Sequence, residues 1–228
     1  MRLMKKSRFR MNREEIKKVL DFEAYYNNED FEDIEMLDDI LMMEDELVEQ
    51  EEERIKKLKQ LLSPLDIVDG ELFNLDWFAL DAAIVLTSWG YKEGLSYLNE
   101  IVSYGLKNIP NFSPHRIYNY DESYQNILYA FFNYTSRMHQ RGSKTESVKQ
   151  ISSAIIRIID RAKEEDISLS GFIFKLYNDD MNAIFNKPLR DTLAYIKNKK
   201  EKTFLDEYNI EDIEKALERP NLLDTIRQ

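Results

Sequence analysis

The sequence predicts an all-α protein, and three observations support that prediction. The 228-residue chain contains only six Gly and five Pro, whereas an all-β fold needs many turn residues. Apolar residues make up 43% of the chain, which provides material for a hydrophobic core and is unlike the composition of a disordered protein. Apolar residues also recur at intervals of three and four, which is the spacing of amphipathic helices.

The negative charge of the chain is concentrated in residues 21–53, which we call the acidic segment. This segment contains sixteen Asp and Glu residues and no Lys, Arg or His. The net charge of the whole chain is −11, so removing these sixteen negative charges leaves +5 for the remainder. Such a segment repels nucleic-acid phosphates and anionic lipid and attracts basic protein surfaces. We therefore expect a basic protein partner, no direct nucleic-acid binding and no membrane association.

The composition also indicates in which cellular compartment the protein is expected. The chain has no cysteine, which excludes disulfides and thiolate metal sites and is compatible with a reducing cytoplasm. No run of about 18 apolar residues occurs, so no transmembrane helix is predicted. Residues 1–11 are basic but lack the apolar core of a signal peptide, and we expect them to form a tail that pairs with the acidic segment. The expected location is cytoplasmic.

Residues 1–62 are predicted to hold two helices behind this basic tail. Asn12 is a suitable N-cap for a short first helix. The second helix, residues 31–62, is long and acidic, and Ser63-Pro64 ends it. Its apolar residues fall at heptad positions and form a seam beneath the acids. The seam consists of Ile34, Leu37, Leu41, Val48, Ile55, Leu58 and Leu62. Glu44 and Glu51 intrude on it, and a break near Met43 is the alternative to one continuous helix.

Residues 63–73 are predicted to be a linker, and residues 74–228 a second region built of helical hairpins. Its first hairpin has a helix from Trp77 to Trp89, capped by the residues around Asp76, and a second helix that stops at Gly105. Further hairpins begin near Asp121 and Ser168, at intervals of 47 residues, which fits the long end of two-helix solenoid repeats. The last helices are predicted to begin at Asn186-Lys187-Pro188 and to include Ile210 and Ile213.

Two resemblances follow from these features. The segment Asp76 to Val102 resembles a HEAT-type helical pair in its Ala82-Ala83, in Gly90 between the helices, and in Leu95 and Leu98. This likeness implies a HEAT-like array of hairpins. In size, acidity and absence of cysteine the chain is similar to immunity proteins of bacterial polymorphic toxin and contact-dependent inhibition systems. That likeness implies a cytoplasmic inhibitor that binds a toxin domain and has no active site of its own.

Enzymatic chemistry has few candidates. Glu32 and Glu35 have the spacing found in magnesium sites of all-α pyrophosphohydrolases, but sixteen acids in 33 residues produce such spacings by chance. His115 and His139 are isolated, and the chain has no Gly-rich phosphate-binding loop. We therefore expect no enzyme, no metal and no cofactor. A magnesium-dependent nucleotide hydrolase and a helical-repeat scaffold remain alternative interpretations.

The predicted function is a non-enzymatic inhibitor, an immunity protein that occludes a basic toxin such as a nuclease through charge complementarity. Tyrosines of the loop before Asp121 are expected to contribute, since Tyr is favoured in interfaces. The stretch 117–135 has no basic residue, unlike a nucleic-acid stacking platform. The predicted partner-binding residues are Asp30, Asp33, Asp38, Asp39, Glu44, Asp45, Glu46, Tyr118 and Tyr120. A merely solvated acidic face, or one covered by basic residues of the same chain, is the alternative.

Overall fold

The computed structural model describes residues 11–20, 41, 48, 49, 51–107, 123–170, 172, 173 and 182–218. In this part of the chain, eight helices and two strands have defined bounds. They are α1 (Arg13–Leu20), α2 (Glu52–Leu61), β1 (Asp66–Val68), β2 (Glu71–Asn74), α3 (Trp77–Ser88), α4 (Lys92–Tyr104), α5 (Ser123–Gln140), α6 (Lys144–Arg161), α7 (Asn182–Lys197) and α8 (Phe204–Glu218). The prediction of a mostly helical protein is therefore confirmed.

A capping box starts α1, as the position of Asn12 predicts. The backbone N–H of Asn12 donates to Glu15 Oε2 at 2.8 Å, and the backbone N–H of Glu15 donates to Asn12 Oδ1 at 2.9 Å. The two side chains thereby satisfy two amides that a helix start otherwise leaves unpaired. Ile16, Val19 and Leu20 are buried, so the apolar face of this short helix points into the core.

The segment predicted as a helix over residues 31–62 is interrupted at Glu51. This residue is a turn residue with φ −92° and ψ 26°, its N–H bonds the carbonyl of Val48, and α2 begins at Glu52. Leu41 and Val48 are helical and buried, with 2% and 1% of their surface exposed. The alternative break near Met43 lies outside the described residues.

A β-hairpin occupies the segment predicted to be a linker. Val68 pairs with Glu71 in an antiparallel ladder, and the two residues between them, Asp69 and Gly70, have φ angles of 53° and 83°. Two consecutive positive φ angles define a type I′ turn, which Asp-Gly favours. The prediction that the chain is entirely α-helical is wrong here, because this turn joins two short apolar runs that then pair.

Helix α3 lies at the centre of the described structure. It packs against α1, α2, α4 and α5. From Ala79 to Ser88 every residue except Asp81 is buried, and Trp89 directly after the helix is fully buried. A helix that is apolar on nearly all sides needs partners all round, and the surrounding helices provide them.

The first two hairpins, α3–α4 and α5–α6, pack side by side, with α3 against α5 and α4 against α6. Within the first hairpin the backbones are very close: a Cβ on Gly94 would lie 2.7 Å from the carbonyl oxygen of Ala83 and from the amide nitrogen of Thr87. Helix α7 packs against both α6 and α8. One hydrophobic cluster joins residues from Ile16 in α1 to Ile213 in α8.

Helix α7 begins at Asn182, four residues before the predicted start at Asn186. Pro188 therefore lies inside the helix, where its missing N–H leaves the carbonyl of Ile184 without the usual helical donor. Phe185 and Leu189 are four residues apart and are 0% and 1% exposed. Their joint burial favours a helix that continues through the proline.

Candidate functional site

The nine partner-binding residues predicted from the sequence lie outside the described residues. They are Asp30, Asp33, Asp38, Asp39, Glu44, Asp45, Glu46, Tyr118 and Tyr120. Their role therefore stays a prediction.

The described end of the acidic segment has its apolar residues inside and its acids outside. Leu41 and Val48 belong to the core, whereas Glu49, Glu52 and Glu53 are exposed. Glu53 Oε1 accepts a hydrogen bond from Lys56 Nζ at 2.9 Å, and this bond, followed by the charge of Lys56, lowers the pKa of Glu53. Both side chains are well exposed, so solvent screens this pair and it adds little stability.

The β-hairpin presents an apolar and acidic face to solvent. Side chains alternate between the two faces of a strand, and here Ile67 and Leu72 face inward, with Leu72 only 2% exposed. Val68, Glu71 and Phe73 share the outer face, which we call the hairpin face. Val68 is 47% exposed and Phe73 56% exposed. Aliphatic and aromatic side chains this exposed on one face of a hairpin are typical of an interaction surface.

A groove of about 590 Å³ lies at the start of α3, directly after the hairpin. We call it the α3 groove. It is lined by Asn74, Leu75, Asp76, Trp77, Phe78, Leu80, Asp81, Ile84, Ser123 and Asn126. Trp77 is 41% exposed. The volume falls in the range of ligand-binding clefts, roughly 300–1,000 Å³.

Asp76 is the N-cap of α3 and also lines this groove. Its Oδ1 accepts hydrogen bonds from the backbone N–H groups of Phe78 at 3.0 Å and Ala79 at 3.4 Å. Burial raises the pKa of the Asp76 carboxyl, against the opposing effect of these two hydrogen bonds. The carboxylate is thus fixed in place by the helix start and partly withdrawn from water.

The hairpin face and the α3 groove are acidic as well as apolar. Among the described residues that line the groove, Asp76 and Asp81 are acidic and none is Lys, Arg or His. Between residues 60 and 91 the chain has five acidic residues and no basic one. A negative, aromatic concavity favours cationic groups, because the ring face and the carboxylates both attract positive charge.

The sequence interpretation missed this surface. Two signals for it were present: the Asp69-Gly70 pair between apolar residues, which predicts a hairpin, and two aromatic residues, Phe73 and Trp77, flanking the predicted helix start. Their exposure is a tertiary property, because neighbouring Leu72 and Leu75 are buried although they are equally apolar.

A second exposed aromatic pair lies at the start of α8. The rings of Phe204 and Tyr208 have centroids 4.4 Å apart and the residues are 61% and 46% exposed. Two of the four lysines before this helix form ion pairs within the chain: Lys199 Nζ lies 2.8 Å from the buried carboxylate of Asp206, and Lys197 pairs with Glu214.

Two further properties concern only the described part of the chain. No group of three or more His, Asp or Glu residues there is arranged to hold a metal ion. No helix there combines the length and apolar character needed to cross a membrane.

Comparison with known proteins finds no matching family model, no similar curated protein and no similar solved structure. The fold and the two acidic regions define the protein as a mostly helical chain with an acidic, aromatic surface beside its central helix.

Proposed function

We propose that the protein is a non-enzymatic inhibitor that binds a basic protein, and specifically an immunity protein that neutralises a basic bacterial toxin such as a nuclease. Its mechanism is occlusion of the toxin's cationic surface. The observation that supports this most strongly is the charge partition: −16 within residues 21–53 and +5 in the rest of the chain. We propose that the protein acts in the cytoplasm, with which the absence of cysteine is compatible.

On the helix that the sequence predicts from residue 31, the acidic segment would be unfavourable for the isolated protein. Like charges three or four residues apart on a helix repel each other, and the segment has no Lys or Arg to offset them. A basic partner removes this repulsion and so gains affinity from it. Complementary charge also raises the association rate constant, by roughly 10- to 1,000-fold over that of a neutral pair at low salt.

The decisive experiment uses the partner itself. The full-length protein is used to co-purify its binding partner from the native host, with the product of the neighbouring gene as the first candidate. Association of the purified pair is then measured at several salt concentrations. Replacing Asp38, Asp39, Glu44 and Asp45 with lysine is expected to slow association at least about tenfold and to reduce its salt dependence.

The matched control carries four lysine replacements at exposed acids elsewhere: Asp166, Asp191, Glu201 and Glu207. Both variants change the net charge equally, so only the position differs. If both slow association to the same extent, general charge rather than the acidic segment steers the partner. If neither alters the rate or its salt dependence, the proposal is wrong.

A helical-repeat scaffold is the second candidate function, and the packing of α3 on α5 and of α4 on α6 favours it. HEAT-like arrays stack successive helical pairs in this way and bind partners along an extended surface. Co-purification separates the two functions. A scaffold recovers several components of one assembly, whereas an inhibitor recovers one protein that is toxic when expressed without it.

A further inference from the structure

We propose that α8 is a detachable helix: it separates from the rest of the protein as one unit while the other helices stay folded. Two buried polar side chains of α8, those of Asn209 and Asp212, connect it to the chain that follows α6. The conformational change does not involve the acidic segment, so this inference stands independently of the proposed function.

The buried face of α8 is largely polar, unlike that of α3. The buried residues of α8 are Leu205, Asp206, Asn209, Asp212 and Ile213. Three of these five are polar, whereas seven of the nine buried residues of α3 are apolar. Apolar burial stabilises in proportion to the area removed from water, while an internal hydrogen bond mainly replaces one made to water. The docking of α8 is therefore weaker than the packing of α3.

Asn209 binds the main chain directly after α6. Its Nδ2 donates to the carbonyl oxygen of Ile167 at 2.8 Å, and its Oδ1 accepts from the backbone N–H of Leu169 at 2.9 Å. The side-chain amide thus pairs with this segment much as a residue of a neighbouring strand would. Asn209 is only 2% exposed, so water replaces these two bonds only when α8 moves away.

Asp212 extends the same contact by one helical turn. Its carboxylate accepts a hydrogen bond from the hydroxyl of Ser170. Residues three apart lie on the same side of a helix, so Asn209 and Asp212 meet the segment 167–170 together. Because one helix carries both side chains, its displacement breaks all of these bonds at once.

The start of α8 is held by local contacts that do not depend on docking. The backbone N–H of Thr203 donates to Asp206 Oδ2 at 2.9 Å, and the backbone N–H of Asp206 donates to Thr203 Oγ1 at 3.2 Å. Asp206 also pairs with Lys199 in the connection that follows α7. These contacts move with α8, so it remains a capped helix when it detaches, and residues 198–203 form the hinge.

Detachment of α8 leaves the centre of the protein intact. The packing of α3 on α5 and of α4 on α6 involves no residue of α8. Elements with few buried apolar residues open at a lower free energy than the core does. The open form uncovers the main chain at Ile167 and Leu169 together with the polar face of α8.

Native-state hydrogen exchange of the full-length protein, read by NMR at several urea concentrations below the unfolding transition, tests this inference. We expect the amides from Tyr208 to Lys215 to share one protection factor, at least about tenfold smaller than that of the α3 amides. They should also share one dependence on urea, because detachment exposes surface. Protection that is graded along α8 and insensitive to urea would indicate fraying of the helix end and would overturn the inference.

Ile101→Val separates detachment of α8 from unfolding of the whole protein. Ile101 lies in α4 and is 0% exposed, so its truncation destabilises the packing that both the closed and the detached forms retain. We expect the protection of the α3 amides to fall about two- to tenfold and that of the α8 amides to stay the same. An equal fall in both helices would show that α8 opens only when the whole protein unfolds, and the inference would be wrong.

Asn209→Ala tests the proposed contact itself. It removes both bonds to the segment after α6 and should lower the protection of the α8 amides about tenfold or more. The matched control is Asn198→Ala, because Asn198 is exposed and its Nδ2 donates to the carbonyl oxygen of Ala194 within its own helix at 2.9 Å. It should change this protection less than about threefold. Equal effects of the two variants would refute the role of Asn209 in docking.

Discussion

The guanidinium of Arg54 lies over the indole ring of Trp89, with its central carbon 5.1 Å from the ring centroid. Arg54 Nε donates to the carbonyl oxygen of Val19 at 2.7 Å, and its Nη2 donates to that of Leu20 at 3.1 Å. These carbonyls end α1, where helical donors are absent. One side chain of α2 therefore joins the end of α1 to the end of α3.

Arg54→Lys is expected to lower the free energy of unfolding by about 1–3 kcal/mol, because an ammonium cannot bond both carbonyls and stack on the ring at once. Urea denaturation measures this as a lower midpoint at unchanged slope. The control is Arg157→Lys, at an exposed position of α6. Equal midpoints for the two variants would show that Arg54 contributes only as a surface charge.

Gly94→Ala is expected to destabilise the protein by about 1–3 kcal/mol or more, the usual cost of overpacking. The new Cβ would lie 2.7 Å from the Ala83 carbonyl oxygen, Leu86 Cβ and the Thr87 amide nitrogen, so α4 would have to move away from α3. Thermal unfolding provides the measurement. The control is Ser96→Ala, on the exposed side of the same helix. It changes helix propensity alone and should be neutral or slightly stabilising. A stable Gly94→Ala variant would contradict the close packing of these helices.

Two variants at Asp76 separate its cap from its charge. Asp76→Ala removes the acceptor for Phe78 and Ala79 and should cost about 1 kcal/mol. Asp76→Asn keeps the acceptor and should be at least as stable as the wild type at pH 7. The reason is that burial raises the pKa of Asp76, so the folded state binds this proton more tightly than the unfolded state does, and ionisation opposes folding.

The pH dependence at Asp76 has a definite sign. Its contribution to stability decreases as the pH rises from the ordinary value of 3.8 through the raised pKa of the folded state. The advantage of Asp76→Asn over the wild type should therefore be largest at neutral pH and shrink on acidification. Urea denaturation of both proteins between pH 7 and pH 4 measures this. An advantage that grows toward low pH would contradict the burial of this carboxyl.

Two buried tyrosines allow a matched comparison of hydrogen bonds. Tyr124 Oη accepts from the buried backbone N–H of Leu106 at 3.0 Å, whereas Tyr134 Oη donates to the partly exposed Gln150 at 2.8 Å. Tyr124→Phe strands a buried amide and should cost about 1–3 kcal/mol. Tyr134→Phe leaves the partly exposed Gln150 side chain, which can form a hydrogen bond with water instead, and the change should cost less than about 1 kcal/mol. A reversed order, measured by urea denaturation, would contradict the assigned burial of the two bonds.

The helices were predictable wherever local signals agreed with the packing. Asn12 and Asp76 cap the helices predicted to follow them, and Gly90 and Gly105 end α3 and α4 with φ angles of 85° and 84°. Glycine adopts this left-handed conformation without a Cβ clash, so its position in the sequence marks the helix end. Pro188 misled the prediction at α7, because burial of Phe185 and Leu189 outweighs the lost hydrogen bond.

The sequence by itself determined the helical class of this protein, its caps and glycine stops, and the separation of a −16 segment from a basic remainder. These properties depend on local backbone preferences and on charge counting. The tertiary structure alone decided that Phe73 and Trp77 are exposed while Leu72, Leu75 and Trp89 are buried. The physical reason is that burial depends on which elements pack against a side chain. The acidic, aromatic surface beside α3 exists because the hairpin and the helix turn those two rings outward.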